Sequence, residues 1–306
     1  MKKIKYIILI TLAIIIIVIA YTAIKRPDIK YGIITLFDKR ESITLEEIDI
    51  ETQKVDISDI EKGKYNNIKY TNNMWLVNND NKLDYNNNLN LVEFRDTGLF
   101  VNREVVEPLE FLLEASKEYT EDKLLIMSTY RDKNEQEDLY KEDSSLAAKV
   151  GYSEHETGLA LDLYVHTLAQ KNFIKSQVGK WVNSNAYKYG FIIRYPFLGK
   201  SKTGFNYEPW HIRYVGLPHS NIIYNNRLTL EEYYHLYEKD KSYKYGEYII
   251  SYQSSHNNSL DIPKGYKNIE ISKDNKGGYI ITSKIKWKFR WNISHIMWII
   301  HNINYN

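Results

Sequence analysis

The chain has 306 residues, 43% of them hydrophobic and 26% charged, with 41 basic residues against 39 acidic ones and no cysteine. That apolar share suffices for one medium domain with attachments or two small ones, which excludes wholesale disorder. The near-zero balance lacks the concentrated basic face that nucleic acid demands. The missing cysteine excludes disulfide scaffolds, thiolate zinc clusters and thiol nucleophiles, leaving His, Asp, Glu, Ser or water for any metal or nucleophile chemistry.

An uncharged, almost wholly apolar run from Tyr6 to Ile24 follows Lys2, Lys3 and Lys5 and precedes Lys25, Arg26 and Pro27. At about 1.5 Å per residue it matches a hydrocarbon layer of about 30 Å and predicts a transmembrane helix. The loose small-x-small match at Ala20 to Ala23 favours an uncleaved anchor over a secretory signal, so residues 1–26 are expected to form a tail and membrane anchor. Lysine and arginine on both flanks leave its orientation open. Residues 27–65, with acidic clusters such as Glu46, Glu47 and Asp49 and no clear period, predict a solvated stalk with one short strand around Lys54 to Ile57.

Asn-rich stretches then lead into an ordered region expected over 66–240. A helix is predicted over Glu107 to Tyr119, with Pro108 in its first turn and Leu109, Leu112 and Leu113 on one face. Leu124 to Ser128 suits a buried strand, and Asp132 with Glu135 has capping-box spacing ahead of Gln136, Leu139 and Tyr140. Val178, Trp181, Val182 and Tyr189 fall at helical spacing before Gly190 and the strand-like Phe191 to Tyr195. Thr229 and Glu232 make another capping box. Strands and helices mix without a regular repeat, which predicts an α+β fold rather than a doubly wound parallel sheet.

Two segments carry chemistry. In Ser153-Glu-His155-Glu-Thr-Gly158-Leu-Ala-Leu-Asp162-Leu-Tyr164, Asp162 sits inside an apolar strand, where an unpaired carboxylate costs several kcal/mol and calls for a cation. In Tyr207-Glu208-Pro209-Trp210-His211-Ile-Arg213-Tyr-Val215-Gly216, Pro209 keeps Glu208 out of helical geometry, and alternation places His211, Arg213 and Val215 on one side of a strand. Together they offer His155, Asp162 and His211 as three N/O ligands for a catalytic zinc with an open position, and Glu208 as a carboxylate left over to act as general base. Each residue alone also fits an ordinary structural role; the coincidence of all four favours the metal. Arg131, ending a buried strand, is either a fork-shaped donor to a substrate carboxylate or oxyanion, or the partner of Asp132 or Glu135. Gln136 and Ser153 are either substrate hydrogen-bonders or ordinary surface and loop residues.

Ser-x-Tyr130-Arg131 with Gln136 and Leu-Tyr140, Ser-Glu-His155-x-Thr-Gly-Leu-Ala-x-Asp162, Asn185-Ala-Tyr-Lys-Tyr-Gly-Phe191 with Arg194-Tyr-Pro196, and Thr203-Gly with Glu208-Pro-Trp-His211-x-Arg-Tyr-Val-Gly216 resemble the VanY-type zinc D-alanyl-D-alanine carboxypeptidases over about residues 70 to 240. The resemblance implies a Hedgehog/DD-peptidase-like α+β fold with a central, largely antiparallel sheet flanked by helices. It implies one Zn2+ per chain on His155, Asp162 and His211, with Glu208 as base and Arg131 stabilising the transition state or substrate carboxylate. Tyr130, Gln136, Ser153 and Trp210 are expected as further substrate contacts. The implied substrate is a peptidoglycan stem pentapeptide ending in D-Ala-D-Ala, which loses its last D-Ala. Such precursors lie outside the membrane, so the expected protein is single-pass with its catalytic domain at the bacterial cell surface. L,D-carboxypeptidase, D,D-dipeptidase and a non-catalytic zinc domain binding wall peptides are the alternatives. Asp132 departs from the small residue common in the family, and the short span from Tyr140 to Ser153 favours an open, carboxypeptidase-type pocket.

Residues 241–306 are expected as a small β-rich extension. Its end, Ile285-Lys-Trp287-Lys-Phe289-Arg-Trp291-Asn-Ile293, alternates an aromatic and aliphatic face with a cationic one. This suits the outer strand of the extension or, alternatively, a contact with the membrane interface or anionic wall polymer.

Overall fold

The computed structural model describes residues 2–86, 88–144, 147–255 and 258–284. The cationic, aromatic end of the chain therefore lies outside the described residues. Two helices open the chain, α1 (Lys2–Lys25) and α2 (Pro27–Thr35). A transmembrane α1 does not stand: among the described residues no helix is long and apolar enough to cross a membrane. A crossing takes about 20 consecutive apolar residues, and no described helix combines that length with that apolarity. The single-pass surface location inferred from that anchor, and membrane attachment through it, fall with it.

The region expected as a solvated stalk is instead tied into sheets. It contains β1 (Glu46–Ile48), β2 (Thr52–Asp56) and α3 (Ile57–Glu61), followed by β3 (Ile68–Thr71). The next part of the chain comprises β4 (Leu91–Glu93), β5 (Phe100–Asn102), α4 (Arg103–Tyr119), β6 (Leu125–Ser128), α5 (Lys133–Glu142), β7 (Ala160–Tyr164), α6 (Gln177–Asn185), β8 (Phe191–Ile193), α7 (Lys200–Thr203), β9 (His211–Tyr214), α8 (His219–Asn225) and α9 (Leu230–Tyr233). Strands β10 (Ser242–Tyr245), β11 (Tyr248–Ser254), β12 (Ser259–Pro263), β13 (Lys267–Lys273) and β14 (Gly278–Lys284) complete the described chain.

The architecture is α+β. Its site-bearing sheet has the order β6-β7-β9-β8, antiparallel throughout. Leu159, just before β7, and Leu161 and Leu163 on one side of it pack with Leu109 and Leu112 of α4 and Val178 and Val182 of α6, all buried. The helical spacing seen in the sequence thus supplies the apolar layer behind the sheet. Helix α4 starts at Arg103, four residues before the expected Glu107, because the Asn102 side chain caps it by accepting from Glu104 N at 3.0 Å. Pro108 consequently sits inside the helix rather than in its first turn.

A second sheet, β1-β10-β11-β14-β13-β3, draws on both ends of the chain, with β13 and β3 parallel and the other pairs antiparallel. Strand β2 pairs with β12. Val55, Ile57 and Ile60 from the N-terminal part share a buried cluster with Leu260, Ile262, Ile269 and Ile271. The β-rich extension is therefore not a separate appendage but is completed by residues 46–71.

Candidate active site

The pairing of β7 with its neighbours assembles the centre. Asp162 lies opposite His211 on β9 and Ser128 on β6. His155 comes from the 3-10 turn Glu154–Thr157 just before β7. That turn is anchored by Glu156, whose carboxylate accepts from Gly151 N at 2.7 Å and Ser153 N at 3.4 Å and also receives the Tyr85 hydroxyl. It ends at Gly158, φ 72°, where a Cβ would stand 2.7 Å from Asn102 N, so a glycine is needed for both conformation and space.

Three side chains converge: one ligand atom each of His155, Asp162 and His211 lies within 4.8 Å of the others, and all three residues are buried. His155 Nδ1 donates to the Thr129 carbonyl at 2.6 Å, which leaves the lone pair of Nε2 pointing to Asp162 Oδ2 at 3.2 Å. His211 turns Nδ1 to Asp162 Oδ1 at 3.1 Å. His155 Nε2, Asp162 Oδ1 and His211 Nε2 are buried without a hydrogen-bond partner. Orphaned acceptors of this kind are costly to bury, and a cation where the three residues meet relieves the cost at His155 Nε2 and Asp162 Oδ1, while His211 faces the same point with Nδ1. The donor set therefore fits a borderline-soft divalent metal such as zinc.

The electrostatics agree. Burial pushes the His155 imidazole down, towards the neutral form that a metal ligand requires, and Arg131 adds to the effect. Desolvation alone would raise Asp162, but its contacts with His155 and His211 outweigh it and hold the carboxylate well below the usual range. Glu208 stands apart from the three, its Oε2 3.7 Å from His211 Nδ1. Burial pushes its carboxyl up to about 7, with His211 and Arg131 opposing and Asp162 reinforcing the rise.

Arg131 does not pair with Asp132 or Glu135, which instead form the capping box of α5. Its guanidinium is fixed by Nε to Ser128 Oγ at 3.1 Å and Nη1 to Gln136 Oε1 at 3.0 Å, with Nη2 3.3 Å from Asp162 Oδ2. Gln136 is fully buried and spends its amide on Ala148 O at 2.7 Å, so it supports Arg131 and the 147–153 loop rather than facing the cleft. Ser153 and Trp210 line the cleft above the cluster, a cavity of about 680 Å3, together with Arg131 and Glu208. Tyr130 is half-buried and is not part of that lining.

One set of residues behind the site had no role in the reading of the sequence. Glu154, beside His155, is fully buried and accepts from Arg194 Nε at 2.8 Å and Arg213 Nη1 at 2.7 Å. Arg194 also forks onto Glu231 at 2.9 and 2.6 Å, and Arg213 Nη2 donates to the carbonyls of Asn73 and Trp75. This network ties the His155 turn to β8, β9, α9 and the 73–78 segment. The available signal was two arginines inside apolar strand segments, each needing a buried anion just as Asp162 needs a cation.

Two imidazoles and a carboxylate converging in a cleft, with a spare carboxylate alongside, are the donor set of a metal-dependent hydrolase. Comparison with known proteins narrows this. The family VanY, D-alanyl-D-alanine carboxypeptidase, matches residues 98–217. A D-alanyl-D-alanine carboxypeptidase of Enterococcus faecium is 36% identical over 193 residues, spanning 61% of this chain and 62% of the relative's length. The bifunctional D-Ala-D-Ala dipeptidase and D-Ala-D-Ala carboxypeptidase VanXYC of Enterococcus gallinarum is 34% identical over 180 residues, spanning 53% of this chain and 94% of that protein. Among solved structures, the vancomycin resistance D,D-dipeptidase VanXYg in complex with a D-Ala-D-Ala phosphinate analogue superposes with a TM-score of 0.64 at 27% identity, covering 78% of this chain and 100% of that one. The chain belongs to the VanY D-alanyl-D-alanine carboxypeptidase family.

Proposed function

We propose that the protein is a zinc-dependent D-alanyl-D-alanine carboxypeptidase that releases the terminal D-Ala from peptidoglycan stem pentapeptides. The observation that carries this reading is the convergence of three buried ligand residues, with His155 Nε2 and Asp162 Oδ1 left without hydrogen-bond partners and the Glu208 carboxyl beside them in an open cleft. His155, Asp162 and His211 would hold one zinc ion, which when bound supplies Lewis acidity and lowers the pKa of a coordinated water to about 7. The descriptions of the relatives as acting on D-Ala-D-Ala support the substrate class.

The chain's own groups account for the rest. Glu208 accepts a proton from the water whose oxygen attacks the scissile carbonyl carbon. As the C–N bond breaks it returns that proton to the departing D-Ala nitrogen, so it ends each cycle ionised. Arg131, locked through Nε and Nη1, directs its remaining N–H donors at the substrate's terminal carboxylate or the developing oxyanion. Ser153 and Trp210 border the peptide.

A D,D-dipeptidase reading is favoured by one observation, the superposition on a D,D-dipeptidase. The full-length chain is incubated with zinc and, separately, with pentapeptide, tetrapeptide and free D-Ala-D-Ala, and the released amino acid is identified. Release of D-Ala from the pentapeptide alone is the expected result. Turnover of the dipeptide at a comparable rate would replace the carboxypeptidase assignment, and release from the tetrapeptide alone would make it an L,D-enzyme. Zinc binding with no release from any of the three overturns the enzymatic reading in favour of a binding domain.

A further inference from the structure

We propose that the segment following α1 forms a wall of the substrate cleft, and that Arg26, with Lys171, binds a carboxylate carried by the peptide on the amino-terminal side of the scissile bond. The proposal rests on the function above and adds a specificity subsite to it. Arg26 and Asp28 line the same cavity as His155, Asp162, Glu208 and His211, although they lie more than a hundred residues away in the chain.

Their placement is built, not incidental. Gly32 of α2 lies against the Phe197 ring so closely that any Cβ would overlap it. The Tyr31 hydroxyl donates to Lys180 O at 3.2 Å, on α6. Downstream, Arg227 donates to Thr35 O at 2.8 Å and Arg40 to Tyr224 O at 2.9 Å, with the Arg40 guanidinium 4.0 Å over the Tyr224 ring. Residues 26–40 are thus strapped along the domain from the cleft to α8.

At the cleft end the strap presents an oriented cation. Asp28 is 2% exposed and accepts from Arg26 Nε at 3.0 Å and Nη2 at 2.7 Å, which fixes the guanidinium plane. Arg26 nevertheless remains 46% exposed, and its Nη1 makes no hydrogen bond among the described residues. Helix α2 packs on the turn Gln170–Lys175, so Lys171, exposed and without an ion pair among the described residues, stands on the same side of the cavity. The acidic groups lining the cavity away from the cluster are Asp28, already spent on Arg26, and Glu142 and Asp143 at the end of α5. With Arg131 placed at the scissile end of the peptide, on its terminal carboxylate or the developing oxyanion, these two cations are left to meet an anion farther up the peptide.

The test compares acetyl-γ-D-glutamyl-L-lysyl-D-Ala-D-Ala with the same peptide amidated at the glutamyl α-carboxylate, using the full-length zinc-loaded protein. The readout is the ratio of kcat/KM for the two, which cancels differences in folded or metal-loaded protein. The parent is expected to prefer the free carboxylate about fivefold, as for a partly exposed charge pair. The double variant Arg26→Gln/Asp28→Asn, which leaves no buried charge alone, and Lys171→Gln should each bring the ratio towards one. Gly32→Val, which forces α2 off Phe197, should do the same without touching either cation. Equal turnover of both peptides by the parent, or an unchanged ratio in all three variants, overturns the subsite alone. No release from either peptide overturns the proposed function together with it.

Discussion

Replacing Glu154 by Gln keeps the shape of the side chain and removes one charge from the solvent-excluded centre of a network. Glu154, Arg194 and Arg213 all have side chains at 0% exposure, and the two arginines are balanced by Glu154 and Glu231. Removing one partner of a buried ion pair costs about 3–5 kcal/mol, because the opposite charge is left uncompensated. Arg194 retains its fork onto Glu231, and Arg213 retains the carbonyls of Asn73, Trp75 and Tyr214, which places the expected loss near the lower end. About 3 kcal/mol corresponds to a Tm lower by about 6–12 °C for a domain of this size. Both arginines donate to the same oxygen, Oε1, so the amide oxygen can keep both bonds, and it is the lost charge that should loosen the His155 turn and lower zinc affinity. Thermal unfolding followed by circular dichroism, with and without zinc, measures the first effect, and a competition titration against a chromogenic chelator measures the second. A Tm within 2 °C of the parent together with unchanged zinc affinity would refute the view that Glu154 clamps the turn.

Glu208→Gln should bind zinc as the parent does and lose at least about a hundredfold in turnover, the usual worth of a general base; hydrolysis near the parent rate removes Glu208 from that role. Zinc added to metal-free protein at about 100 times its Kd should stabilise the fold by about 2.7 kcal/mol, and His155→Ala should abolish that gain; a gain that survives the substitution places the ion elsewhere. His219 is buried between the Tyr233 hydroxyl at 2.6 Å and Thr282 at 3.0 Å, and burial pushes its pKa down to about 3. The unfolded chain therefore takes up a proton below about pH 6.5 that the folded one refuses, so this contribution is intact above pH 6.5 and is lost at about 1.4 kcal/mol per unit as pH falls towards 3. In urea titrations His219→Gln should flatten the pH dependence of stability between 6.5 and 4, and an unaltered slope rejects the assignment.

The local features were legible because their causes are local. Asp132 with Glu135, and Thr229 with Glu232, cap helices through neighbours three residues apart, and both boxes form where the spacing places them. The apolar positions of α4 and α6 declare their buried faces by period alone. The start of α4 was missed because Asn102 is a cap recognisable only once the chain before it is seen to be extended. The hydrophobic run at the N-terminus was legible as composition, but the span inferred from it was not upheld among the described residues.

What residue types and spacing determined is the chemistry on offer: two histidines and two carboxylates in strand-like segments, and arginines that cannot stay unpaired in an apolar strand. The fold decided which atoms meet. The β7–β9 register sets Asp162 against His211, a backbone carbonyl at Thr129 selects the nitrogen that His155 leaves free, and Arg131 turns to Gln136 and Asp162 rather than to its chain neighbours. Pairing of β1, β2 and β3 with strands about two hundred residues later, and the docking of α2 at the cleft, depend on surfaces that exist only after collapse. Periodicity within a segment states which face is apolar, and it carries no information about which distant segment will cover that face.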